Sequence, residues 1–308
     1  MFKIGHYTDI ENITGCTVIL LPENTLGSCH IAGSSPGTRE IALLDPERKI
    51  NSINAVLLTG GSAFGLNAVQ GVVKFLEEKK IGYFTNYGLV PIVPGAVIYD
   101  LNIGNSKVRP IAENAYEACQ KAKADNDEIG NIGAGTGATV GKWSGIENAM
   151  KGGLGIAQLK TNDVWVKAIT VVNAVGDIIN EKGEIIAGAL NTDGRFIAAD
   201  NPNIRFQLPE VGFSENTVLS VILTNAKINK LQSYIISKKA FNGMARAIIP
   251  ANTNYDGDII FTFSNQQAEL IFDILIEMAT EAVRLSIINA VKNSFSLGGI
   301  DSYKSLSS

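Results

Sequence analysis

Along this chain, short continuous apolar runs alternate with longer amphipathic ones. Residues 16–21 form a brief β-type run, and residues 53–61 (INAVLLTGG) form an apolar run that ends in glycines. Runs of this length, bounded by turn residues, predict buried strands. The second run feeds residues 63–80, where apolar side chains recur at helical spacing, and another helix is predicted over 111–124. A Gly-rich stretch occupies 130–155, and residues 164–179 (VWVKAITVVNAVGDII) then give two strand-like halves. Further on, the pattern predicts a strand over 217–224, a helix over 227–248, a strand at 259–263 and a terminal helix over 266–291. Strands and helices alternate rather than segregate, which predicts an α/β fold. The candidate break is the polar stretch 191–214, rich in Asn, Pro, Asp and Gly. It reads either as a surface excursion or as a segment that leads the chain to a processing point.

Composition narrows the function. A length of 308 residues with 45% hydrophobic and 18% charged positions suffices for a large core. The net charge of −4 argues against a nucleic-acid binder, which would carry a basic stripe. With no apolar run of membrane-spanning length and no apolar signal region in MFKIGHYTDIEN, the expectation is a soluble, cytoplasmic protein. Cys16, Cys29 and Cys119 form no CxxC pair and read as buried apolar residues, not a disulfide framework or zinc site. The two histidines, His6 and His30, lie at one end of the chain without a second ligand type at metal spacing. No metal and no cofactor is expected, and a histidine-based nucleophilic site is disfavoured.

An Asn-Thr pair stands where a polar loop becomes an apolar run, in ENTVLSVILTNA. If the bond between Asn216 and Thr217 is broken, Thr217 carries a free α-amino group beside its hydroxyl, so one residue holds both base and nucleophile. The alternative is that Asn216 ends a turn and Thr217, β-branched, opens a strand. Two glycine motifs invite other chemistry. GAGTGA (133–138) fits a relaxed dinucleotide pattern but follows the polar KADNDEIGN instead of a strand. LTGGSAFG follows a strand and opens a helix, yet Gly60 and Gly65 are one residue too widely spaced around Ser62 for a nucleophile elbow. Its glycines read as close helix-on-strand packing, with the helix start near a substrate.

Taken in order, GHYTDIENITGCTVILLP, LTGGSAFGLNAVQGVV, VPIVPGAVIYDL, GNIGAGTGATVGKW with KGGLG, VVNAVGDI, ENTVLSVILTNA and NTNYDGDIIFTFS resemble the P1 peptidase family over nearly the whole chain. That family includes the L-aminopeptidase/D-esterase and β-aminopeptidase enzymes. The threonine and the Asp-Gly-Asp motif are most similar to its nylon-oligomer endohydrolase branch. The resemblance implies a four-layer αββα sandwich of N-terminal-nucleophile-hydrolase type. It also implies one domain over 1–308 that cleaves itself into fragments 1–216 and 217–308 and assembles as a homo-oligomer, a tetramer or larger. The implied function is a self-processing amidohydrolase that forms an acyl-enzyme on Thr217 with a small peptide or oligoamide substrate. The alternatives are an acyltransferase of ornithine-acetyltransferase type and a non-catalytic nucleotide-binding α/β protein.

By the same resemblance Asn173 supplies an N–H to the oxyanion, Lys142 is the cation beside the nucleophile, and Asp256 and Asp258 orient its amine and hydroxyl. An α-amino group titrates at about 7.7–8.0 unperturbed, so it serves as a base near neutrality without histidine. The residues themselves leave other readings open. Asn173 also fits a strand-end turn cap, Lys142 beside Trp143 fits a solvated or cation–π lysine, and Asp-Gly-Asp fits turn chemistry. If 259–263 is a strand, the two aspartates share a face at period two.

Overall fold

A computed structural model describes residues 1–206 and 216–306. The strands of its two main sheets, in chain order, are β1 (Lys3–Asp9), β2 (Thr14–Leu20), β3 (Leu26–Ile31), β4 (Thr38–Arg39), β5 (Ala55–Thr59), β6 (Gly95–Val97), β7 (Gly153–Thr161), β8 (Val164–Asn173), β9 (Thr217–Ala226) and β10 (Ile259–Ala268), and shorter strands form small sheets of two or three outside them. The helices that cover them are α1 (Val69–Glu78), α2 (Ala112–Lys121), α3 (Lys230–Ala245) and α4 (Phe272–Asn293). One sheet has the order β1-β2-β5-β6-β4, the other β7-β8-β9-β10-β3. Each is mixed: β5–β6 and β9–β10 run parallel, and the other neighbours antiparallel.

Side-chain alternation shows how the sheets stack. In β5, Val56 and Leu58 join Leu219, Val221 and Leu223 of β9 and Phe261 and Phe263 of β10 in a core between the sheets. The alternate residues Ala55 and Leu57 face the other way, onto Val69, Val72 and Leu76 of α1 and Ala115, Ala118 and Cys119 of α2. On the second sheet Val218 and Ile222 pack against Ile236, Ala240 and Met244 of α3 and Ala279, Val283 and Ile287 of α4. The period of two along a strand sorts one sequence onto two cores, and the layers read helix, sheet, sheet, helix. The entry to α3 is fixed locally: Asn229 accepts from the Gln232 N–H at 2.8 Å while Gln232 accepts from the Asn229 N–H at 2.9 Å, a reciprocal cap.

Most predicted elements are present, with corrections at several points. The run 63–80 is three pieces, Ser62–Gly65, a 3₁₀ turn Leu66–Ala68 and α1. The Gly-rich stretch 130–155 contains the paired strands Thr139–Val140 and Met150–Lys151 and the start of β7. The terminal helix begins at Phe272 rather than 266, because β10 continues to Ala268. There the end of β9 still supplies partners: the Lys227 N–H donates to the Ala268 carbonyl at 2.7 Å and the Ile228 N–H to Gln266 Oε1 at 3.0 Å. The stretch 191–214 includes a 3₁₀ turn, Pro202–Phe206, and its residues 207–214 lie outside the described ones. Among the described residues no helix is long and apolar enough to cross a membrane.

Candidate active site

Thr217 is the first residue of β9, and the alternation that sends Leu219, Val221 and Leu223 inward sends Thr217 inward too, between the sheets. Its partner across the antiparallel ladder is Asn173, the last residue of β8, so the two share a face. The peptide bond before Thr217 is held on two sides. The Thr217 hydroxyl donates to the Asn216 carbonyl oxygen at 2.6 Å, and the Gly257 N–H donates to the same oxygen at 2.7 Å. A Cβ on Gly257 would lie 2.8 Å from Thr217 Oγ1 and 2.7 Å from the Ser35 carbonyl, so the chain must be bare there to come this close.

Lys142 reaches the site from the 3₁₀ turn Lys142–Ser144. Gly141 before it has φ 73°, and a Cβ there would meet the Ala189 nitrogen at 2.3 Å. Lys142 Nζ donates to Asn173 Oδ1 at 2.8 Å and to the Asn173 carbonyl at 3.2 Å. The Thr139 N–H donates to the same Oδ1 at 3.1 Å, and Asn173 Nδ2 donates to the Tyr99 carbonyl at 3.2 Å. The amide of Asn173 is thus fixed in orientation, with one Nδ2 hydrogen committed and one left for a further acceptor. Neither the turn cap nor the solvated lysine survives as a description. Asn173 binds residues remote in sequence, and the cation over the Trp143 ring is Arg205, 5.9 Å from its centre.

Asp256 and Asp258 precede β10 instead of lying within it, and each binds a different segment. Asp256 Oδ2 accepts from the Thr253 N–H at 2.6 Å, closing its own turn, while its backbone bridges Asn216. Asp258 Oδ1 accepts from the Val218 N–H at 2.7 Å and so ties down the residue after Thr217. The structure therefore brings Thr217, Asn216, Asn173, Lys142, Asp256 and Asp258 to one place, all buried.

Burial governs the electrostatics of this place. Desolvation pulls Lys142 down to about 7, against the upward pull of Asp256 and Asp100. It pushes Asp258 well above the usual carboxylate range, with Asp256 adding to the rise, and raises Asp256, which Lys142 opposes. An ammonium that titrates near neutrality beside carboxyls that resist ionisation is a site whose protons are held loosely. Both histidines do other work. His6 Nδ1 bonds Thr17 Oγ1 at 3.0 Å, and His30 lies edge-on to Tyr234 and Phe241.

The glycine motifs are structural. In GAGTGA the Gly133 and Ala134 N–H groups are taken by the hydroxyls of Thr8 and Thr17. At the Ser62–Gly65 turn the Gly61 and Ser62 N–H groups are taken by Asp100 and the Ile98 carbonyl. Among the described residues no group of three His, Cys, Asp or Glu side chains is placed to hold a metal ion. Residues that the sequence did not single out are Gly257, Thr139 and the Tyr99 carbonyl. The first acts through its N–H and the others through backbone groups, which leave no trace in side-chain chemistry.

The model of peptidase family S58 matches residues 2–304. An uncharacterized aminopeptidase of Mycobacterium leprae (strain TN) is 34% identical over 316 residues, which cover 94% of this chain and 83% of that protein. A 6-aminohexanoate-oligomer endohydrolase of Kocuria sp. (strain KY2) is 30% identical over 274 residues, covering 86% of this chain and 73% of its own length. Among solved structures, the L-aminopeptidase D-Ala-esterase/amidase of Ochrobactrum anthropi, a variant of the Ntn-hydrolase fold, matches with a TM-score of 0.73 at 18% identity, covering 99% of this chain and 90% of that one. A Burkholderia sp. β-aminopeptidase gives a TM-score of 0.72 at 18% identity, over 98% and 88%. The four layers are those of the Ntn hydrolases, as the sequence led us to expect.

Proposed function

The chain belongs to peptidase family S58 and is a hydrolase of peptide or other amide bonds, and we propose that its nucleophile is Thr217, released as an N-terminal residue by cleavage of the Asn216–Thr217 bond. The observation that carries this reading is the pair of hydrogen bonds on the Asn216 carbonyl oxygen, from the hydroxyl that is to attack and from the Gly257 N–H.

In the first reaction Thr217 Oγ1 adds to the Asn216 carbonyl carbon and its proton passes to the departing nitrogen. Negative charge grows on an oxygen that already has the Gly257 donor, so stabilisation needs no rearrangement. The C–N bond breaks to leave an ester on Oγ1 and a free amine on Thr217. Water then opens the ester, giving the Asn216 carboxylate and restoring the hydroxyl. Fragment 1–216 ends there and 217–308 begins with the nucleophile.

In turnover the Thr217 amine takes the hydroxyl proton as Oγ1 attacks a substrate amide, and the free Nδ2 hydrogen of Asn173 meets the oxyanion. Lys142 beside the amine favours its neutral form, Asp256 balances that charge, and Asp258 holds β9 through Val218. The substrate is a short peptide or oligoamide, a class supported by the endohydrolase relative's activity on 6-aminohexanoate oligomers. The same reading makes the enzyme a cytoplasmic homo-oligomer of four or more chains, which light scattering of the purified protein tests.

Intact mass decides the processing step. Dividing the 32.8 kDa chain in proportion to residue number gives fragments of about 23 and about 10 kDa, which stay associated because strands from both build one core. A single full-length mass in a preparation that hydrolyses amides overturns the reading.

A further inference from the structure

A second pair of buried charges lies against the Lys142–Asn173 contact and is not used in the chemistry above. Asp100 follows β6 in the first sheet. Its Oδ1 accepts from the Gly61 N–H at 2.7 Å and its Oδ2 from the Thr14 hydroxyl at 2.8 Å. A Cβ on Gly60 would lie 2.0 Å from Oδ2, and one on Gly137 would lie 2.5 Å from the Asp100 Cβ, so two bare backbones make room for this carboxyl. The residue before it, Tyr99, presents the carbonyl that holds Asn173 Nδ2. Lys151 is fully buried, with Nζ on the Thr136 carbonyl at 2.9 Å. In its ladder it pairs with Thr139, whose N–H holds Asn173 Oδ1. Both atoms of the Asn173 amide are therefore held by backbone groups that sit next to, or pair with, a buried charge.

We propose that Asp100 and Lys151 are positioning residues of the Thr217 site, fixing the Asn173 amide from its two ends through the Tyr99 carbonyl and the Thr139 N–H. The inference rests on the assignment of Asn173 and Lys142 to that site. The groups that act on Lys142 are Asp256 before β10, Asp100 after β6 and Lys151 in the strand Met150–Lys151, joined after processing by the Thr217 α-amine, whose titration sets the acid limb and not the alkaline one. Asp100 and Asp256 raise the pKa of Lys142, while Lys151, itself drawn down to about 7 by burial, lowers it. Carrying charge, Lys142 draws electron density from Asn173 Oδ1 and strengthens the Nδ2 hydrogen as a donor. Activity then falls as pH rises through the Lys142 titration.

The two changes have opposite signs. Asp100→Asn is nearly isosteric and removes a charge that keeps Lys142 protonated, so the alkaline limb of kcat moves to lower pH, by on the order of one unit. Lys151→Met removes the charge that opposes protonation, and the limb moves to higher pH. In Asp100→Asn, kcat at neutral pH also drops by about tenfold or more with little change in KM, because the donor is used in the transition state. Profiles are measured on the full chain for wild type, both variants and Thr217→Ala, with thermal melts to confirm folding. Limbs that shift in the same direction, or that stay in place in folded variants, overturn the inference. If Lys151→Met does not fold, the limb and the kcat and KM values of Asp100→Asn decide alone. Activity in Thr217→Ala overturns instead the assignment of the nucleophile.

Discussion

Lys142 Nζ binds both oxygens of Asn173, the side-chain Oδ1 at 2.8 Å and the backbone carbonyl at 3.2 Å. One cation thereby fixes the end of β8 and the direction in which its terminal amide points. Because Oδ1 is occupied by Lys142 and Thr139, the amide cannot flip without losing both bonds and setting Nδ2 against donors. The prediction is graded. Asn173→Ala removes the oxyanion donor and lowers kcat about 10²–10³-fold, the usual cost of such a group. Asn173→Asp keeps an acceptor for Lys142 but replaces the N–H with a second oxygen, so it loses at least as much. Turnover of Asn173→Asp at the wild-type rate would show that the amide serves only to hold Lys142.

Gly257 offers a cleaner separation of processing from folding. Its backbone is not in the left-handed region, so alanine strains nothing in the chain itself, but the new Cβ would lie 2.8 Å from Thr217 Oγ1 and 2.7 Å from the Ser35 carbonyl. Both contacts are too close to persist, so the Gly257 backbone moves away from Ser35 and Thr217 and carries its N–H with it. Gly257→Ala is expected to fold and to process about a hundredfold more slowly. Mass spectra taken over time alongside a thermal melt measure both. Normal cleavage in a folded Gly257→Ala protein removes that N–H from the reaction.

The parts of this fold legible in the sequence are those where burial imposes a period. The run 217–224 reads as a strand because its residues alternate between two apolar cores, and the helix expected over 227–248 is present but shorter, Lys230–Ala245, because the Asn229–Gln232 cap starts it later than the pattern alone placed it. The second half of β10 was not legible: in SNQQA the polar side chains bind the end of β9, a partner 38 residues away for both Ser264 and Gln266. The same holds at the site. Thr217, Asn173, Lys142 and the two aspartates are picked out by the family resemblance, because their residue types alone also fit a strand opening, a turn cap, a solvated lysine and a turn; the fold brings all five into one buried place. The turn that Asp256 closes was among the open readings of Asp-Gly-Asp, but the tie from Asp258 to Val218 could not be read, since a shared face requires both aspartates to be in the strand and the strand starts at Ile259. Asp100 and Lys151 look like ordinary charged residues until the fold buries them.

The pH behaviour of the histidines separates stability from catalysis. Burial depresses His6 from 6.5 to about 4, and its Nε2 has no hydrogen-bond partner among the described residues. A histidine held neutral gives stability that is present above pH 6.5 and is lost as pH falls from there toward 4, worth on the order of 3 kcal/mol over the window. His6→Gln should flatten that part of a stability profile measured by denaturant titration. Replacing both His6 and His30 with glutamine should leave the pH dependence of turnover unchanged. If the doubly substituted, folded enzyme processes normally but no longer turns over, the Thr217 amine is not the sole base.

Thr217 itself can be tested by three substitutions that divide its shape from its chemistry. Thr217→Ala removes the hydroxyl that donates to the Asn216 carbonyl, so the chain should accumulate as one folded, inactive polypeptide. Thr217→Ser keeps the hydroxyl but loses the methyl group that restricts χ1, and the attacking rotamer is populated less of the time. It should still cleave and turn over, more slowly. Thr217→Val keeps the branched shape and fills the same inward position at the start of β9, so it disturbs packing least of the three. For a residue that only opens a strand, valine is harmless and serine mildly disruptive; for a nucleophile the order reverses, with serine active and valine inert. Mass spectrometry of the purified proteins and an amide-hydrolysis assay on all three give the order directly. A Thr217→Val protein that hydrolyses amides as one uncleaved chain would end the case for Thr217.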